Sequence, residues 1–302
     1  MLMQQKCFPC LFRQALDAAE LLTTDVKKRE MLIRGAGRIM AETNFCRTPP
    51  EIGQELHAMI REVLENDDPY REIKAEINSI TKEIRPTLRE KIEKSENPLE
   101  TALRFAIAGN VIDFATFKTV SADKIIKTVE EAANKPIMGV DISALEAELQ
   151  KTQTRTLLYV CDNCGEIVWD ALLIEQLQRY VSVTVAVRGS AVVNDAILAD
   201  AELAGITEMC PVITTGSDIP GTVVALSSEI FQQHFREADV VLAKGQGNLE
   251  TLQPSVRPVL HLFMVKCPVV EQWMKLPRGA LALQWIQDAD YIPVLERRFL
   301  GW

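Results

Sequence analysis

Arg155-Thr-Leu-Leu-Tyr-Val160 is a short run of β-favouring residues that ends in Cys161-Asp-Asn-Cys-Gly-Glu166, after which Trp169, Leu172, Leu173 and Leu177 mark an amphipathic helix. The same succession recurs down the chain. Val181 to Val187 leads into Arg188-Gly-Ser190 and a helix through Leu198 and Leu203; Glu208 to Thr214 leads into Thr215-Gly-Ser217 and a helix around Val223 to Phe235. Ala238 to Ala243 then leads into Lys244-Gly-Gln-Gly-Asn248, and Val259 to Val265 is a fifth run. These runs are continuously apolar rather than alternating, the pattern of strands covered on both faces, and the intervening helices are the crossovers that parallel strands need. The reading is an α/β fold: a doubly wound, mostly parallel, Rossmann-like α/β/α sheet over residues 151–302.

Residues 1–150, by contrast, read as an N-terminal helical domain. Phe12, Leu16 and Ala19 share one helical face, and Leu32, Ala36, Ile39 and Met40 another. Thr48-Pro-Pro-Glu51 has the capping-box spacing with Pro at the first helical position, and Ile52, Leu56, Met59, Ile60 and Val63 follow as its apolar stripe. Ile73, Ile77, Ile80 and Ile84 form a further stripe, expected to stop near Pro86, because a proline lacks the amide hydrogen that a helix interior requires. Asn97-Pro-Leu-Glu100 repeats the capping logic and opens a helix expected to reach Gly109.

The composition bounds the function. With 302 residues, 47% of them hydrophobic, the chain has enough apolar surface to offset its ordering entropy. A net charge of −9 argues against a nucleic-acid surface, which needs clustered Lys and Arg. The longest apolar stretch, Val259 to Val270, is broken by His261 and Lys266 and is too short for a membrane span. No basic segment followed by an apolar one opens the chain, so the expected compartment is the cytoplasm. Seven cysteines without such a leader do not suggest a disulfide framework. The pairs Cys7/Cys10 and Cys161/Cys164 lie farther apart in sequence than the pairs of a ribbon-type zinc site usually do, and Cys7 and Cys10, far in sequence from the strand-end loops, are expected to be dispensable for the chemistry. Nothing in the sequence fixes an oligomeric state.

In doubly wound sheets ligands bind outside the carboxyl ends of the strands, and here those ends carry nearly all the polar chemistry. Asp162 and Asn163 offer adjacent oxygen ligands after the first run, and Asp195 offers another carboxylate after the second. Two carboxylates and an amide, with no histidine nearby, suit a hard cation such as Mg²⁺ or Mn²⁺. Taken singly, Asp162 and Asn194 also read as helix N-caps and Asp195 as a first-turn carboxylate. After the fourth run, Gly245 and Gly247 let backbone amides approach an anion, while Lys244 and Asn248 are expected to aim at the crevice. This segment is neither a P-loop nor a dinucleotide fingerprint. Asn110 and Asp113 place polar groups in an apolar stretch, either as a helix end or facing the site. His57, His234 and His261 lie near no nucleophile, which leaves a Ser-His-Asp triad unsupported.

Taken together, Cys7-x-x-Cys10, Thr48-Pro-Pro-Glu-Ile-Gly53, Ala108-Gly-Asn-Val-Ile-Asp-Phe114, Asp162-Asn-Cys-Gly-Glu166, Arg188-Gly189 with Asn194-Asp195, and Lys244-Gly-Gln-Gly-Asn248 resemble the damage-control phosphatase family, domain of unknown function 89, most closely its prokaryotic branch. The resemblance implies a metal-dependent phosphatase acting on small phosphorylated metabolites, with Mn²⁺, Mg²⁺, Co²⁺ or Ni²⁺ on Asp162, Asn163 and Asp195. It also implies that Glu166, Arg188 and the Lys244–Asn248 loop face the substrate. Ser190-Ala191 stands where the family often has a proline, and Ile197 where it often has threonine. Whether Asp162 attacks phosphorus or only holds the metal is not legible. A non-catalytic phosphometabolite sensor is the alternative from another class, and a methyltransferase a weaker one, suggested by fold alone.

Overall fold

A computed structural model of the chain describes residues 1–109, 122–252, 255 and 257–287. Helices α1 (Phe8–Leu21), α2 (Val26–Glu42) and α3 (Pro49–Leu64) form a small bundle whose core is Ala15, Ala18, Leu32, Ala36, Leu56 and Ile60. The capping box at Thr48 forms: its hydroxyl accepts from Glu51 N, and the Glu51 carboxylate accepts from Thr48 N at 2.7 Å. Helix α4 (Arg71–Glu93) continues straight through Pro86 rather than stopping there. Its isoleucine and leucine stripe, Ile77, Ile84, Leu88 and Ile92, is buried on both sides of the proline. That tertiary packing outweighs the lost backbone hydrogen bond. Asn97 caps α5 (Pro98–Ala108), and α6 (Ala122–Ala133) packs against it.

The sheet has seven strands in the order β1 (Ile137–Gly139), β7 (Leu281–Ile286), β6 (Val259–Met264), β5 (Val240–Lys244), β2 (Thr156–Val160), β3 (Ser182–Val187), β4 (Val212–Thr214). Neighbours are parallel except β6 and β7, which pair antiparallel from Val259↔Ile286 to Met264↔Leu281. The connecting helices are α7 (Ile142–Leu149), α8 (Glu166–Leu177), α9 (Leu198–Leu203), α10 (Glu229–Glu237), α11 (Gly245–Thr251) and α12 (Pro268–Met274). The five expected strands form, somewhat shortened, and β1 and β7 are additions that the sequence reading did not contain.

Alternate strand residues go to opposite layers. Leu157, Tyr159, Val185, Leu242 and Leu260 meet α4, α5 and α8 on one face; Leu158, Val160, Val241 and Ala243 meet Phe231 and Phe235 of α10 on the other. The first core runs continuously from Ile77 and Leu88 of α4 to the strands, and β1, before residue 150, hydrogen-bonds to β7 after it. The largest buried ring of that core is Trp169, 1% exposed, whose indole N–H donates to the Thr81 carbonyl at 3.1 Å. Truncating such a ring to alanine costs about 3–5 kcal/mol.

Strand order reverses between β2 and β5, because the chain winds from β2 outward through β3 and β4 and then returns to β5 and β6. Crevices at such switch points are where doubly wound sheets bind ligands. Among the described residues no helix is long and apolar enough to cross a membrane.

Candidate active site

The ladder of β2 continues one residue past the strand, with Cys161 N donating to Ala186 O at 2.9 Å, and then the chain turns. Cys164 N donates to Asn194 O at 2.7 Å and Ala196 N to Asp162 O at 2.8 Å, which stitches the turn after β2 to the segment before α9. Asn163 and Asp195 face each other as an isolated antiparallel bridge. Asp162, Asn163 and Asp195, separated by up to 33 positions in sequence, are thereby brought to one place. Asn163 Nδ2 donates to Asp162 Oδ2 at 2.7 Å and to Glu166 Oε2 at 3.1 Å.

Gly245, the first residue after β5, has φ +77°, and a Cβ built there would fall 1.9 Å from Asp162 Oδ2. The glycine is what admits the Asp162 carboxylate to the switch-point crevice; any side chain would evict it. A second backbone peculiarity is Val193, a β-branched residue at φ +47° two positions before Asp195. Such a residue is rarely left-handed, and strain of this sort concentrates at sites where surrounding structure dictates the geometry.

Behind the aspartates, Arg188 is 1% exposed and fully engaged. Its Nε donates to Asp195 Oδ2 at 2.6 Å, Nη1 to Thr222 Oγ1 at 2.9 Å and Nη2 to Asn248 Oδ1 at 3.2 Å; Nη2 also lies 3.9 Å from Asp162 Oδ1. Asn248 in turn donates to Cys161 O at 3.0 Å and Lys244 O at 2.7 Å, locking the ends of β2 and β5 together. Lys244 departs from the expectation that it aims at the crevice. Its ammonium is fully buried, donating to Asp170 Oδ1 at 2.6 Å, to the Ala106 carbonyl at 3.0 Å and to Glu166 Oε1. Tyr159 donates to the same Asp170 oxygen at 2.8 Å. Lys244 therefore anchors Glu166 from behind.

Burial pushes the Asp162 carboxyl up to about 7, with Glu166 and Asp195 adding to the push and Arg188 opposing it. Asp195 is also raised, by burial first, against the pull of Arg188. Burial likewise holds Asp170 up to about 7 despite Lys244 beside it. For Lys244, burial would lower the ammonium, but Asp170 and Glu166 override that and hold it above its ordinary value. Four buried carboxylates (Asp162, Glu166, Asp170, Asp195) thus face two buried cations (Arg188, Lys244). A divalent cation would balance the deficit. The donor set of two carboxylate groups and an amide oxygen fits a hard, oxygen-seeking ion. Among the described residues no three Cys, His, Asp or Glu side chains form a metal cage, so the two Cys-x-x-Cys pairs do not combine into one.

A cavity of about 250 Å³ opens beside these groups. Asp162, Asn163, Asp195 and Gly247 line it, whereas Glu166, Arg188, Lys244 and Asn248 stand behind its wall. Its remaining wall brings in the amino-terminal cysteines, which are far in sequence from the strand ends. Cys7 and Cys10 line it together with Cys267, Gln14, Gln246 and Glu250, because α1 and α3 are packed over the strand ends. Lys6 and Lys266 supply cationic lining, and the Lys266 ammonium is close enough to Asp162 to favour its ionised form. Glu250 is 6% exposed and burial pushes it up to about 7. Sequence reasoning missed Asp170, Thr222, Glu250 and Lys266. Lys266 had a signal, a cation just past the end of an apolar run, but Asp170 lies inside a helix stripe and had none. Asn110 and Asp113 lie outside the described residues.

Comparison with known proteins agrees with this arrangement in fold and family. The sequence profile of the Damage-control phosphatase ARMT1-like domain matches residues 3–281. An uncharacterized protein of Methanocaldococcus jannaschii is 34% identical over 276 residues, covering 88% of this chain and 90% of that protein. A protein of Pyrococcus horikoshii named damage-control phosphatase is 32% identical over 93% of this chain and 97% of its own length, and one of that name from Archaeoglobus fulgidus is 28% identical over 87% and 92%. The crystal structure of a Pyrococcus horikoshii protein of the domain-of-unknown-function-89 family superimposes with a TM-score of 0.85 at 31% identity, covering 94% of this chain and 98% of that one. The chain belongs to the damage-control phosphatase ARMT1-like domain family.

Proposed function

We propose that this member of the damage-control phosphatase family hydrolyses small phosphomonoesters, sugar phosphates or damaged phosphometabolites, with a divalent metal held by Asp162, Asn163 and Asp195. The observation that supports this most strongly is the pairing of two buried, charge-deficient aspartates with a cavity of metabolite size at the switch point of the sheet. When bound, the metal polarises a phosphoryl oxygen and orients the group that attacks phosphorus. Arg188 fixes the Asp195 carboxylate through its 2.6 Å bond to Oδ2, and Oδ1 is the oxygen this carboxylate offers the ion. Lys244 holds Glu166 beside Asn163, so that neither carboxylate nor amide has to reorganise during turnover. Lys266, at the rim, is the lining cation nearest Asp162 that can meet the remaining phosphoryl oxygens. The Cys7, Cys10 and Cys267 side of the cavity receives the organic part of the substrate.

The experiment is a phosphate-release screen with p-nitrophenyl phosphate and a panel of sugar phosphates, each with Mg²⁺, Mn²⁺, Co²⁺, Ni²⁺ or a chelator. The expected result is metal-dependent release abolished by Asp162→Ala and by Asp195→Ala. Metal-dependent ligand binding without any phosphate release would replace the enzyme with a sensor. Release that survives the chelator and both substitutions would move the chemistry elsewhere.

A further inference from the structure

The two turns that carry Asp162, Asn163 and Asp195 are tied to each other, and both are also tied to one side chain of the helical layer. Asn78, in the middle of α4, is 2% exposed. Its Oδ1 accepts from Gly165 N at 2.6 Å, two residues after Asn163. Its Nδ2 donates to Asp200 Oδ1 at 2.6 Å. The other oxygen of Asp200 accepts from Ile197 N at 2.9 Å, two residues after Asp195, and lies 3.1 Å from the buried Lys74 ammonium, one helical turn before Asn78. Gly165 itself has φ +70°, and a Cβ there would fall 2.4 Å from Ile77 Cγ2, so α4 is pressed directly onto the turn.

We propose that Asn78 is a positioning residue for the metal site: with Asp200 and Lys74 it sets the spacing between the Asp162–Asn163 turn and the Asp195 turn. This rests on the metal reading above. An amide is the side chain that serves here, because it accepts from a backbone N–H with one atom and donates to a carboxylate with the other. A buried amide so placed has both partners satisfied and little freedom to shift. Gly165 sits two residues after Asn163, and Asp200 holds Ile197 N, two residues after Asp195. Outer groups that hold ligands in place commonly change metal affinity 10- to 100-fold when they are removed. The Lys74–Asp200 pair adds charge to the same clamp, and losing the amide leaves Gly165 N–H and Asp200 Oδ1 buried without it.

The test is titration of Mn²⁺ into the full-length protein followed by calorimetry, well below every variant's unfolding temperature. Asn78→Ala is expected to weaken Mn²⁺ binding 10- to 100-fold. The exchanged double variant Asn78→Asp/Asp200→Asn keeps an acceptor for Gly165 N, a donor–acceptor pair between the two side chains and an acceptor for Ile197 N, and is expected to bind within about threefold of wild type. Ile84→Ala, a buried truncation on the same helix, is expected to lower stability and leave affinity unchanged. Wild-type affinity in Asn78→Ala, or equal weakening by Ile84→Ala, overturns the positioning role while leaving the metal site standing. A wild-type protein that binds no Mn²⁺ overturns the metal reading, and this inference with it.

Discussion

Replacing Lys244 by methionine separates two accounts of the glycine loop. If the ammonium aimed at the crevice, its loss would lower turnover about a hundredfold and leave the fold intact. The structure puts it instead between Glu166 and Asp170, fully buried, with a third bond to the Ala106 carbonyl. Methionine fills similar volume but strands two carboxylates in the core, and breaking a buried pair by removing one partner costs about 3–5 kcal/mol. For a chain of this size that is a fall in unfolding temperature on the order of 10 °C. The pH dependence has a defined sign. With the cation gone, the Asp170 carboxyl, already held up to about 7 by burial, rises further above its unfolded value. The folded variant then binds a proton that the unfolded chain does not, so its stability is present at low pH and lost as pH rises through the folded value. The stability gap to wild type should accordingly narrow from pH 7.5 to pH 5 in urea denaturation. A variant as stable as wild type at pH 7.5 that nonetheless loses turnover with unchanged KM would refute this reasoning and return Lys244 to the substrate.

Three further outcomes follow from the same geometry. Asp195→Asn keeps the shape but removes a charge that Arg188 also uses, and should abolish Mn²⁺ binding in calorimetry while circular dichroism stays unchanged; retained binding would take Asp195 out of the coordination set. Glu250→Gln should flatten the acid side of the stability profile: the wild-type carboxyl, pushed up to about 7 by burial, stabilises the fold below its ordinary value and loses that contribution as pH rises through about 7, with a limiting slope of about 1.4 kcal/mol per pH unit. Identical wild-type and variant profiles between pH 5 and 7.5 would contradict it. Cys7→Ser with Cys10→Ser should change KM among substrates of different size and leave Mn²⁺ affinity alone, since these side chains line the cavity and a hard cation prefers oxygen; lost metal binding would place the thiols in the coordination sphere.

The strand runs were legible because burial on both faces leaves a continuous apolar signature, as in Leu157 to Val160 and Val240 to Ala243. The caps at Thr48 and Asn97 were legible because their chemistry is local. Pro86 lies inside α4, against the local rule for proline, because packing of Ile84, Leu88 and Ile92 decides there. The strand β1, three residues long and largely exposed, has no pattern to read, and β7 stands at the end of a domain already assigned five strands. At the site, the polar ends of β2, β3 and β5 pointed to one edge of the sheet, which is a property of topology. Lys244 and Asp170 could not be paired in advance, since their meeting depends on how α8 rotates against β5. The position of Cys7 and Cys10 likewise depends on the amino-terminal helices packing over the strand ends, a contact between segments more than 150 residues apart in sequence.

A divalent-metal site on Asp162, Asn163 and Asp195, at the mouth of the switch-point cavity, is a proposal that diffraction can check. Crystals grown with Mn²⁺ and measured at the manganese absorption edge test it most directly. One anomalous peak bounded by oxygens of those three side chains is expected, with Lys244 still buried between Glu166 and Asp170. A peak against the sulfurs of Cys7, Cys10 or Cys267, or none at all in protein that releases phosphate, would contradict it.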